Sequence, residues 1–191
     1  DWDDEFKTVH PETMNRVARE AAERHPNKRL ILHYMQPHIP FIGPWARENI
    51  GISTGNEHER ERTLTGTFDG KPDNPYRMLR RGDLDKEELI RGYTENLEVV
   101  LEYVDDLLDD LDGRSVVTSD HGEMFGERAW PYPWRVYQHN PPYKAKKLLE
   151  VPWLVVEGEQ RKTIRAEPPT GRAKESHDES IDEKLEHLGY L

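Results

Sequence analysis

The sequence lacks cysteine, and it lacks any apolar run long enough to cross a membrane. Without cysteine there can be no disulfide framework, no thiolate metal ligand and no cysteine nucleophile. No stretch approaches the roughly 18 consecutive apolar residues that a membrane span requires, and no signal peptide is visible. We therefore expect a cytoplasmic protein that has no membrane partner.

Positive charge is also scarce. The chain has 191 residues, of which 27 are Lys or Arg and 38 are Asp or Glu, giving a net charge of −11. Because phosphate backbones are bound by clustered Lys and Arg, this balance argues against a nucleic-acid partner. The acidic excess fits the salt-rich cytoplasm of a halophile, where charge repulsion is screened. An ordinary acidic surface is the alternative interpretation.

Only 34% of the residues are hydrophobic, but they are grouped in periodic runs that indicate a folded core. The patterns predict an α/β fold with a mostly parallel central sheet and flanking helices, built around a right-handed βαβ unit. The expected elements are a helix over 11–24, a buried strand over 30–35, a long helix from near Leu84 to Gly113, and strands over 115–118 and 151–156.

The stretch RSVVTSDHGE, over 114–123, carries the clearest chemical signal. A short β-rich run ends at Asp120 and His121, and Gly122 allows a sharp turn there. Ligands of open α/β sheets sit at the carboxyl ends of strands, and a carboxylate with a neutral imidazole suits a divalent cation. We predict that Asp120 and His121 are metal ligands; a solvated turn with a capping aspartate is the alternative.

His38 is a second candidate. Pro37 and Pro40 fix the backbone on either side of it, and a rigid loop at the end of a strand is a common place for a binding residue. We predict a role on the substrate side for His38, against the alternative of an exposed loop histidine.

Residues 44–82 show little periodicity and are expected to form an irregular excursion, a partial lid over the site. The arginines of residues 44–82 can bind an anionic substrate, or they can form a solvated surface. The predicted domain spans residues 1–157. Residues 158–191 are expected to be a polar tail with a short terminal helix.

Several stretches, in order, resemble the sulfatase branch of the alkaline phosphatase superfamily. VVTSDHGE resembles the late metal-binding motif, and PHIPF over 37–41 is similar to the His-x-Pro segment near the substrate. Residues 93–111, VPWLVV over 151–156 and the C-terminal LEHLGYL resemble later elements of the same fold. The resemblance covers residues 10–157 and the terminal segment, and it implies an alkaline-phosphatase-like fold that is incomplete in this chain.

The resemblance implies a metal-dependent hydrolase of sulfuric or phosphoric esters. In such a hydrolase, a divalent metal polarises the oxygens of a small anionic ester. The resemblance implies that Asp120 and His121 are metal ligands, that His38 lies near the leaving oxygen and that His139 faces the substrate anion. A purely structural role for His139 is the alternative. The metal can be Mn²⁺, Zn²⁺, Ca²⁺ or Mg²⁺, and a histidine ligand favours the first two. Substrate, choice of sulfate or phosphate, and oligomeric state are left open.

The chain also departs from the family pattern. No Cys, Ser or Thr nucleophile followed by Pro and Arg precedes His38, and two ligands cannot complete a site that needs about four. We expect upstream residues to supply the rest and this chain alone to be inactive; a degenerate member is the alternative. The other functional hypotheses are a non-catalytic α/β binding or interaction module and a phospho-group transferase on the same fold.

Overall fold

The computed structural model describes residues 2–53, 60, 64–65, 74–131, 133–139, 145–158 and 161–166. The helices are α1 (Pro11–Arg24), α2 (Pro44–Asn49), α3 (Pro75–Arg81), α4 (Lys86–Leu108) and α5 (Lys146–Leu149). The strands are β1 (Ser115–Thr118), β2 (Phe125–Arg128), β3 (Arg135–Tyr137) and β4 (Trp153–Val156).

The long helix α4 is the element on which the others pack. It begins with a capping box, in which Asp85 accepts a hydrogen bond from the Glu88 backbone and the Glu88 side chain accepts one from the Asp85 backbone. Helices α1, α2 and α3 and strand β2 all contact α4. Helix α1 spans the predicted residues, with His10 as its N-cap and Pro11 in its first turn.

The hydrophobic core lies between α4 and the loop that carries His38. Phe41 and Leu89 are almost fully buried at its centre. A second, smaller cluster contains Met124, Val136 and Leu148, and it joins the β2–β3 hairpin to α5.

The predicted parallel central sheet is wrong. In the described residues the strands form two separate antiparallel pairs, β1 with β4 and β2 with β3. In the first pair Ser115 lies opposite Val156, and Thr118 lies opposite Trp153. The chain therefore returns beside β1 in the opposite direction, where the prediction had a parallel neighbour.

The predicted strand over 30–35 and the βαβ unit are also wrong. This segment has no strand assignment in the structure, and Ile31 is 95% exposed. Among the residues that the structure describes, no strand lies beside the apolar run to pair its backbone groups, and a strand needs such a partner. Strand β4 forms near the predicted position, but Trp153 and Leu154 on it are exposed rather than buried.

The predicted excursion over 44–82 contains α2 and α3 at its ends. The lid prediction for its middle part, and the predicted terminal helix of the 158–191 tail, fall largely outside the described residues. None of the helices described has both the length and the apolar character that a membrane crossing needs.

Candidate functional site

The loop that carries His38 is fastened to α4 by a buried amide. Asn96 is fully buried, and its Nδ2 donates to the carbonyl oxygens of Pro37 at 3.1 Å and His38 at 3.0 Å. Its Oδ1 accepts the Ile42 backbone N–H at 2.9 Å. Since a buried amide with these bonds has little freedom to move, Asn96 fixes the backbone on both sides of the histidine.

The His38 ring is half-buried and held by its own neighbour. Its Nδ1 lies 2.7 Å from the Ile39 carbonyl oxygen, which can only accept, so Nδ1 carries the proton and Nε2 keeps a lone pair. Burial lowers the pKa of His38, and the nearby His139 lowers it further, while the bond to Ile39 acts in the opposite direction. His38 is therefore a neutral imidazole at pH 7 that offers Nε2 to a ligand or a proton.

Asp120 and His121 follow directly after β1. The exposed Asp120 carboxylate accepts the His121 backbone N–H at 3.0 Å, and its Oδ1 lies 3.5 Å from His121 Nε2. His121 Nδ1 lies 2.9 Å from the Gly122 carbonyl oxygen, which leaves Nε2 available as a donor atom for a metal.

Gly122 permits a close approach between this turn and α5. A Cβ atom at this position would lie 1.7 Å from the Lys147 carbonyl oxygen, and the Gly122 N–H donates to the Leu148 carbonyl oxygen at 3.0 Å. Only glycine fits such a contact without moving the backbone. The turn that bears His121 is thus anchored to α5.

His139 follows β3 and pairs with a glutamate that sequence reasoning missed. Its Nδ1 lies 3.0 Å from Glu123 Oε2, and the Glu123 side chain is only 8% exposed. Glu123 Oε1 is buried and accepts no hydrogen bond of ordinary geometry from the described residues. A buried carboxylate oxygen in this state is costly unless a cation or a donor satisfies it.

The three histidines, which come from distant parts of the sequence, meet at this glutamate. The ring centroids of His121 and His139 are 3.9 Å apart, and those of His38 and His139 are 5.7 Å apart. The structure thus brings His38, His121 and His139 together. Asp120 lies at the edge of the group, with 65% of its side chain exposed.

Two tyrosines lie close enough to the Glu123 carboxylate to feel its charge. Burial raises the pKa of Tyr93 to about 12, with further contributions from the negative charges of Glu123 and Asp120. Burial also raises the pKa of Tyr76, and the Glu123 charge adds to the effect. A hydrogen bond to the Glu123 side chain is the smallest contribution to the Tyr76 shift, whereas Glu123 Oε1 has no partner of ordinary hydrogen-bond geometry among the described residues. Both phenols stay protonated at neutral pH and face the carboxylate as neutral groups.

The donor atoms suit a metal ion. One atom each from His121, Glu123 and His139 lie within 4.8 Å of one another, which is the only such group of three among the residues that the structure describes. Two imidazoles and a carboxylate are borderline donors that fit first-row transition metals. A metal held here would act as a Lewis acid beside the His38 ring.

Sequence reasoning found the three histidines but missed Glu123 and Asn96. A signal for Glu123 was present, because it lies two residues after His121 in the same motif. Asn96 lies among the acidic residues of α4, and only its three-dimensional position shows that it is buried.

Comparison with known proteins finds no matching protein-family model, and neither a curated protein nor a solved structure matches the chain significantly.

Proposed function

We propose that this chain carries the metal-binding and substrate-side part of a metal-dependent hydrolase of sulfuric or phosphoric esters. The observation that supports the proposal is the convergence of His38, from PHIPF, with His121, from the DHG motif, although the two residues are 83 positions apart in sequence. The sulfatase resemblance relates these two motifs to one site, and His139 lies between them.

In the proposed site, Asp120 and His121 would hold a divalent metal, which would supply Lewis-acid polarisation of an ester oxygen. His38 faces the same space with a neutral Nε2, which can accept a hydrogen bond or take part in proton transfer near the leaving oxygen. His139 stands next to both rings and can turn towards the substrate anion. Tyr93 and Tyr76 lie near the Glu123 carboxylate and, being neutral, bring no charge that would repel an anion.

The parallel sheet that the resemblance implied is not part of this proposal, since the strands here pair antiparallel. The proposal depends instead on the positions of the side chains. A phospho-group transferase would use the same metal and anion contacts, so it differs from the hydrolase only in the acceptor.

The test is metal-dependent binding of the anions that such a site recognises. Isothermal titration calorimetry would measure the binding of inorganic sulfate and phosphate to the protein with and without Mn²⁺ or Zn²⁺. We expect binding only with metal, and we expect His38→Gln to weaken it about tenfold, the loss typical of one hydrogen bond to a charged group.

His33→Gln is the matched control, because His33 is exposed in the segment just before the loop. It should leave anion binding unchanged. Anion binding that is independent of metal, or that is equally affected by the two substitutions, would contradict the proposal. Metal binding without any anion affinity would favour the alternative of a non-catalytic module.

A further inference from the structure

Glu123 is the least exposed charged group of the histidine cluster. One of its oxygens pairs with His139, whereas Oε1 is buried without a hydrogen-bond partner of ordinary geometry among the described residues. Buried carboxylates are normally paired at both oxygens or coordinate a metal. The unpartnered Oε1 therefore makes Glu123 a candidate ligand for a cation.

The neighbouring donor atoms are spaced as the ligands of one ion would be. His139 Nδ1 and Glu123 Oε2 are 3.0 Å apart. Two ligands at about 2.1 Å from a shared ion lie roughly 3.0–3.4 Å from one another when the angle at the ion is between octahedral and tetrahedral. A divalent cation can thus take the place of the Nδ1 proton that joins the two groups, and the neutral imidazole then carries its proton on Nε2.

His121 presents its donor atom from the other side. Its Nδ1 is occupied by the Gly122 carbonyl oxygen, so Nε2 is the free donor. A backbone carbonyl on one ring nitrogen is the usual partner of a histidine that binds metal through the other.

We propose that Glu123 and His139 join His121 as ligands of a transition-metal dication in a two-histidine, one-carboxylate site. This inference deepens the proposed function, on which it rests for the location of the metal. With Asp120, whose Oδ1 lies 3.5 Å from His121 Nε2, the ligands reach the number of about four that the Asp120–His121 pair alone lacks.

The donor set also identifies the class of metal. Two imidazole nitrogens and a carboxylate favour Zn²⁺, Mn²⁺, Fe²⁺ or Co²⁺, whereas Ca²⁺ and Mg²⁺ prefer oxygen ligands and higher numbers of them. We therefore expect Zn²⁺ to bind far more tightly than Ca²⁺ or Mg²⁺.

The first experiment is calorimetric titration of the metal-free protein with Zn²⁺, and separately with Ca²⁺. Glu123→Gln keeps the size of the side chain but removes the charge, and it should weaken Zn²⁺ binding by at least about tenfold. Glu150→Gln is the matched control, because the Glu150 side chain is 67% exposed and forms an ion pair with Lys146. This substitution should change Zn²⁺ binding less than about twofold.

Three results would overturn the inference. They are unchanged Zn²⁺ affinity in Glu123→Gln, no saturable one-to-one binding by the unaltered protein, and equal affinities for Zn²⁺ and Ca²⁺. Loss of binding in Asp120→Asn together with normal binding in Glu123→Gln would place the ion on Asp120 and His121 alone, and would also overturn it.

A second measurement needs no substitution and stays decisive if Glu123→Gln fails to fold. Histidine side-chain NMR signals of the unaltered protein would be followed during addition of Mn²⁺ at less than one equivalent. The signals of His121 and His139 should broaden first, while those of the exposed His25 and His33 stay sharp. Broadening that begins at His25 or His33 would overturn the inference.

The outcomes also separate this inference from the proposed function. If Glu123→Gln retains metal and anion binding still requires metal, the ligand assignment fails and the hydrolase proposal stands. If the metal binds as described and sulfate and phosphate do not bind, the hydrolase proposal fails and the metal site stands.

Discussion

Replacing Asn96 by alanine is expected to destabilise the protein by about 3–5 kcal/mol. The substitution leaves the buried Ile42 N–H without its acceptor and removes the donor shared by the carbonyl groups of Pro37, His38 and Pro40. Each buried polar group left unsatisfied costs about 1–3 kcal/mol. The three carbonyl groups share the two N–H protons of one amide, so about three hydrogen-bonding functions are lost, or roughly 3–9 kcal/mol in sum. The lower part of this range applies because water can enter the space that the side chain leaves.

Urea denaturation followed by circular dichroism would measure this loss, together with the thermal midpoint. For a chain of this size, about 1 kcal/mol corresponds to a shift of roughly 2–4 °C, so we expect the midpoint to fall by about 6 °C or more. Asn49→Ala is the matched control, because Asn49 is exposed and makes a single hydrogen bond, to the Trp45 carbonyl oxygen at 2.8 Å. It should cost less than about 0.5 kcal/mol.

The reasoning would be refuted if Asn96→Ala cost less than about 1 kcal/mol, or no more than the control. Amide hydrogen exchange gives an independent check. The Ile42 amide should exchange slowly in the unaltered protein and much faster in Asn96→Ala, since the side chain that protects it is gone.

Three further predictions concern salt, packing and pH. Raising KCl from about 0.1 M to about 2 M should raise the thermal midpoint, because screening weakens repulsion within a chain of net charge −11 and an acidic α4; a midpoint that stays constant or falls in thermal melts would contradict this. Gly122→Ala should lower both stability and Zn²⁺ affinity, since its Cβ would lie 1.7 Å from the Lys147 carbonyl oxygen; calorimetry showing wild-type affinity would count against the close contact. Burial would raise the pKa of Glu127, but N–H groups of the backbone and the ammonium groups of Lys147 and Lys86 outweigh it and lower the pKa to about 2. A depressed carboxyl pKa stabilises the fold above its ordinary value of 4.5 and loses this effect as pH falls towards 2. Glu127→Gln should therefore be less stable than the unaltered protein at about pH 7, with the difference shrinking between about pH 4.5 and pH 2 in urea titrations; a difference independent of pH would refute it.

The local elements could be predicted because local residues determine them. Pro11 and the helical spacing after it predicted α1 with its observed bounds. The β-branched run over 115–118 predicted β1. The predicted C-terminal boundary of α4 near Gly113 was less accurate, since the helix ends at Leu108 and a turn follows it.

The pairing of the strands could not be predicted from the same information. An apolar run such as 30–35 has the composition of a buried strand, but only a partner strand can satisfy its backbone, and the sequence does not specify that partner. The direction of β4 relative to β1 depends on how the chain between them folds back. The chain between β1 and β4 contains the β2–β3 hairpin and α5, and no local pattern encodes how these elements pack.

The acidic segment after Glu95 shows the same limit at the level of side chains. Its composition is typical of a solvated helix face, yet the Glu95 carboxylate accepts the backbone N–H groups of Trp45 and Ala46 at the start of α2. Asp106 and Asp110 pair with Arg19 of α1. The basic partner and the capped helix come from distant positions in the sequence, so composition within the segment could not reveal them.

The central claim is that His38 and His121 belong to one metal-dependent anion site. The most direct measurement is the anomalous diffraction of crystals grown with Mn²⁺ and inorganic phosphate. We predict an anomalous peak in contact with His121, and a phosphate bound between that ion and the His38 ring. A manganese peak away from His121, or a phosphate held only by surface arginines, would contradict the claim.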